Sequence, residues 1–163
     1  MNPLCRFCLL ALAVLASSFA AAPARADEGK LTGLLFYAAD TEPAEPPAIE
    51  GTETEAARYA TALAQAAKAR HYRLIGKHTA PIQSHYSIWL KPSPQFPLQI
   101  ENTGATPDGG LSLYWILWQK EQQPTKDREL VKSTTVLTGK TPLVITGPRW
   151  RGGRLIFVVR KEN

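Results

Sequence analysis

Three histidines stand seven residues apart, at His71, His78 and His85. The segment between the last two reads as strand, turn, strand, with Ala80-Pro81-Ile82-Gln83 at the turn. A hairpin centred there would set His78 opposite His85, Ile75 opposite Ile88 and Leu74 opposite Trp89. Two facing imidazoles could hold Zn²⁺ or Cu²⁺. A closed site needs more ligands. His71 would lie far along the strand, and no Asp or Glu stands near the turn. The expectation is therefore no metal, with His78 and His85 as the only candidates. The same pair would anchor the alternative reading, a small hydrolase or metal-dependent periplasmic enzyme.

Other chemistry finds less support. Ser84, Ser87, Ser93, Ser112 and Ser133 are available nucleophiles, but none lies in a Gly-x-Ser-x-Gly elbow. Ser84 and His85 are sequence neighbours, which point to opposite faces of a strand. A glycosidase needs two carboxylates fixed across a cleft. The acids here concentrate in a Pro-rich stretch that offers no rigid wall. Gly109-Gly110 and Gly152-Gly153 are isolated pairs, better read as hairpin turns than as a phosphate loop. No cofactor is expected, and no catalytic residue is assigned.

The clearest binding signal is Arg149-Trp150-Arg151 followed by Arg154. Basic residues interleaved with an aromatic suit an anionic or ring-bearing partner. The competing reading makes Trp150 a plug for the end of the core, with the arginines keeping the turn soluble. The plug is the expectation. The apolar runs Leu143–Thr146 and Leu155–Val159 flank a hairpin whose tip is expected to span Gly147–Gly153.

These residues need a scaffold. Met1–Ala26 has a basic residue (Arg6), an apolar stretch and the Ala24-Arg25-Ala26 pattern of a secretory signal peptide. Cleavage there removes Cys5 and Cys8, so the mature chain from Asp27 has no disulfide, thiol nucleophile or thiolate site. Residues 27–163 are expected as a single domain with no transmembrane segment, in the periplasm or secreted. The formal charge is +5. Acids crowd residues 27–58, while the rest is basic, which points to an anionic partner or to the acidic stretch lying over the basic body. Export excludes an intracellular nucleic acid.

Leu31–Asp40 reads as a buried strand. The connector at 40–51, with Pro43, Pro46, Pro47 and several glutamates, is expected to stay outside the core. Thr52 and Glu55 form a capping-box pattern, and the alanine-rich run predicts one helix over 53–71. Strands follow at 72–78, 85–91, 96–102, 111–120, 129–137, 142–146 and 154–160. Leu111–Lys120 carries large apolar groups on both faces and is expected mid-sheet, buried on both. The fold class is α+β: one helix on a mostly antiparallel, twisted sheet or partly closed barrel.

The ending at Gly147, Pro148, Trp150, Gly153, Leu155 and Ile156 resembles small uncharacterised exported bacterial proteins with a C-terminal G-P-x-W-x-x-G-x-L-I pattern. That resemblance implies a signal peptide, one helix and several strands, and carries no activity. The resulting functional expectation is a non-enzymatic exported binding or assembly module acting on a protein or anionic envelope component. Its partner-binding candidates are Arg149, Trp150, Arg151 and Arg154.

Overall fold

The computed structural model describes residues 29–42, 46–83, 86–120 and 127–162. The expected signal peptide, Ser84 and His85 lie outside them. Eight strands and two short helices are arranged as β1 (Lys30–Ala39), α1 (Thr52–Arg58), α2 (Ala60–Ala66), β2 (His71–Pro81), β3 (Ser87–Leu90), β4 (Leu98–Ala105), β5 (Leu111–Gln119), β6 (Arg128–Leu137), β7 (Leu143–Trp150) and β8 (Gly153–Glu162). They form two four-stranded antiparallel sheets, ordered β2-β1-β8-β7 and β3-β4-β5-β6. The sheets do not close into a barrel. The described residues form a helical layer, a first sheet and a second sheet.

Burial explains this layering. β1 and β8 are interior strands of the first sheet and are apolar on both faces. Leu31, Leu35, Tyr37, Leu155, Phe157 and Val159 meet Ile88, Leu98, Ile100, Leu113, Trp115 and Leu117 of the second sheet. The alternate residues Leu34, Phe36, Ala38, Ile156 and Val158 meet Tyr59 and Leu63 of the helices. Strands covered on both sides need continuous apolar runs, and these two have them.

β5 is an interior strand, as its apolar character predicts, but only one face is fully covered. Leu111, Leu113, Trp115 and Leu117 are buried, while Tyr114, Ile116 and Trp118 stay partly exposed on the outer face. There the Trp118 indole N–H donates to Gln99 Oε1 at 3.0 Å, so its polar atom is satisfied within the sheet.

The expected hairpin about Pro81 does not form. β2 pairs with β1 and places His78 opposite Gly33, while β3 pairs with β4 and places Ile88 opposite Ile100. The chain crosses from one sheet to the other after Pro81, so Ile75–Ile88 and Leu74–Trp89 are not strand neighbours. Burial of Ile88 and Leu90 between the sheets outweighs the short-range pairing. Gly76 lets the segment after β3 pack closely on β2: a Cβ there would collide with the backbone carbonyl of Pro92.

The single predicted helix is shorter and broken. Tyr59 interrupts it at φ −108°, ψ 14°, although Tyr59 N–H to Glu55 O and Leu63 N–H to Tyr59 O carry the hydrogen-bond ladder across the break. The N-cap is Gly51 rather than Thr52. The Thr52 hydroxyl instead donates to Ile49 O at 2.8 Å. Glu55 turns inward to Arg160. The helix stops at Ala66 because tertiary hydroxyls satisfy its end: Thr146 Oγ1 donates to Ala66 O and Tyr72 OH to Ala67 O. The described part of the 40–51 connector docks on β2, through Ile49 N–H to Leu74 O at 2.9 Å and Arg73 Nη1 to Pro46 O at 3.2 Å. Ile49, expected outside the core, packs against the helix-side cluster.

Candidate ligand-binding cleft

The cleft is built around the β7–β8 turn. Trp150 pairs with Gly153, leaving only Arg151 and Gly152 between the strands. Both have positive φ, 48° and 82°, the pattern of a two-residue type I′ turn. The tip is thus much tighter than the expected Gly147–Gly153 loop. A register shift between Thr146 and Arg149 absorbs Gly147 and Pro148. β7 is an edge strand, where a proline without an N–H is tolerated.

Tyr37 of β1 fixes this turn from below. Its hydroxyl donates to Arg151 O at 2.7 Å. Its ring lies so close to Gly153 that a Cβ there would stand 2.5 Å from it. Trp150 packs edge-on to Tyr37 at 5.9 Å and to Phe96 at 6.5 Å, closing the end of the inter-sheet core. The guanidinium of Arg151 lies 4.6 Å from the indole centroid. The plug expectation describes one side of Trp150. Trp150 is also among the residues that line a cleft.

That cleft has a volume of about 710 Å³ and lies between the turn, the end of β1 and the segment after α2. Arg149, Trp150, Arg151 and Arg154 all line it, joined by Lys68 and Asp40. Arg149 and Arg154 stand directly opposite each other in the β7–β8 register. Among the described residues, neither takes part in a side-chain hydrogen bond or an ion pair. Among the described residues the cleft is thus lined by Arg149, Arg154, Lys68 and Arg151, the last of which has a partner, and by the carboxylate of Asp40. Lys68, Asp40 and Tyr37 carry no local sequence signal for this role. They arrive because β1 lies beside β8 and the helix ends over β7.

A second cavity of about 350 Å³ lies between the helices and the 139–142 loop. Its Arg160 is already engaged. Nη1 bonds Glu55 Oε2 at 3.2 Å and Tyr59 OH at 3.0 Å, and Nε bonds Glu162 Oε1 at 2.9 Å. Burial acts against the charged form of Arg160, yet these partners raise its pKa overall. Burial likewise pushes the Glu162 carboxyl up, but hydrogen bonds from Arg160 and Thr32 and the charges of Arg160 and Lys77 outweigh it and hold it below its usual value. This network fastens the helices to β8.

His71 and His78 do not converge. His71 opens β2 opposite Ala39, and His78 lies seven residues further along the same strand. His78 Nδ1 is buried and has no hydrogen-bond partner among the described residues. Among the described residues, no group of three His, Cys, Asp or Glu side chains could hold a metal ion. Ser87 is hydrogen-bonded to Glu101 and Gln99 on the outer face of the second sheet. No described helix is long and apolar enough to cross a membrane. Comparison with protein-family models, curated proteins and solved structures returns no match.

Proposed function

We propose that this chain is a non-enzymatic binding module, exported to the periplasm or beyond, which docks on a protein or anionic envelope component through the β7–β8 cleft. The observation that carries the reading is the convergence of Arg149, Trp150, Arg151 and Arg154, with Lys68, on one concave surface. The turn is rigidly held, so little ordering is required on binding. Arg151 also occupies a positive-φ position at which Gly or Asn would sit with less strain. A costly local choice at a cleft is the pattern expected of a functional position.

The test is affinity capture from envelope extract with three immobilised proteins: wild type, an Arg149→Gln/Arg154→Gln variant and a Lys132→Gln control on the far sheet. The expected result is a component retained by wild type and control and lost by the double variant. Retention by all three would refute the cleft as the docking surface.

A further inference from the structure

We propose that Arg149 and Arg154 together form a seat for a phosphate monoester. The proposal rests on the cleft reading above and names its ligand class. In the β7–β8 register the two arginines are directly opposed. Like charges at such positions repel and destabilise the strand pair unless an anion bridges them. Among the described residues no acid does so. Asp40 lines the same cleft without pairing to either.

The chemistry of two adjacent guanidiniums selects among anions. A carboxylate has two oxygens, and one arginine fork satisfies both. A phosphate monoester offers three peripheral oxygens and a charge of about −1.5 to −2 at neutral pH, enough for two forks at once. Lys68 lines the same cleft and adds a point charge. The cleft, at about 710 Å³, has room for a phosphorylated sugar ring.

A soluble sugar phosphate and a phosphate-bearing lipid headgroup share this chemistry. Calorimetric titration of the exported mature protein with glucose 1-phosphate, inorganic phosphate and acetate tests the class. Flotation with phosphatidylcholine vesicles, with and without phosphatidic acid, identifies the source. Saturable binding of glucose 1-phosphate and of inorganic phosphate is expected, with no acetate binding. Arg149→Gln and Arg154→Gln should each weaken binding by about tenfold or more. Without ligand, Arg154→Gln should melt about 1–3 °C higher than wild type, because the opposed charges are relieved. Vesicle binding that requires phosphatidic acid and both arginines would also support the seat and assign it to lipid. Absence of saturable binding to every phosphate probe would overturn the ligand class, as would binding unchanged in the double variant. If envelope capture still requires both arginines while phosphate does not bind, only the ligand class fails. If capture is also indifferent to them, the cleft reading fails with it.

Discussion

Trp150→Ala measures how far the indole is a structural plug. The ring makes two edge-to-face contacts, with Tyr37 at 5.9 Å and Phe96 at 6.5 Å. Each such pair is worth about 0.5–1.5 kcal/mol beyond area burial. Arg151 over the ring adds about 0.5 kcal/mol at an exposed position. A fully buried aromatic costs about 3–5 kcal/mol on truncation. Trp150 is only partly buried. These contributions overlap, and the expected cost is about 2–4 kcal/mol. For a domain of this size that lowers the melting temperature by about 7–15 °C. Thermal melts followed by circular dichroism, with urea titration for the free energy, provide the assay. Trp89→Ala is the control: it lies 37% exposed on the second sheet and should cost less than about 1 kcal/mol. Tyr37→Phe keeps the ring and removes the bond to Arg151 O, so about 1 kcal/mol should be lost. A Trp150→Ala protein that melts within about 2 °C of wild type would refute the argument.

Other outcomes follow from the same geometry. Gly76→Ala drives a Cβ into the Pro92 carbonyl and should cost at least about 3 kcal/mol or prevent folding, read by urea denaturation; near-wild-type stability would mean that the sheets separate easily there. Glu55→Gln leaves the Arg160 guanidinium short of one charged partner at a largely buried site, and a loss on the order of 2 kcal/mol is expected in the same assay. The lowered Glu162 carboxyl contributes stability that is fully present above its unfolded value of about 4.3 and is lost as pH falls through the folded value. Melts from pH 7 to pH 3 should therefore fall less steeply for Glu162→Gln than for wild type, and parallel curves would exclude this linkage. Intact-mass analysis of the exported protein should show a chain beginning at or near Asp27, whereas a mass that retains residues 1–26 would refute the signal-peptide reading.

The strands were legible because their physical signal is local. β1 and β8 are continuous apolar runs, and a chain that apolar must be covered on both faces wherever it lies. The alanine-rich helix declared itself through propensity, and the Arg149-Trp150-Arg151 group stood out by composition. Partnership was not legible. Whether β2 meets β3 or β1 depends on which pairing buries Ile88 and Leu90, and that is set by residues far away in the chain. The helix ends at Ala66 because of hydroxyls from Tyr72 and Thr146, the latter eighty positions away. Trp150 is a plug because Tyr37 of β1 and Phe96 of the β3–β4 connection approach it. Local sequence determined which segments were apolar, extended or charged, since those properties reside in the residues themselves. Only the tertiary structure decided which charges share a cleft, since that depends on strand order and on how two sheets and a helix bury their common core.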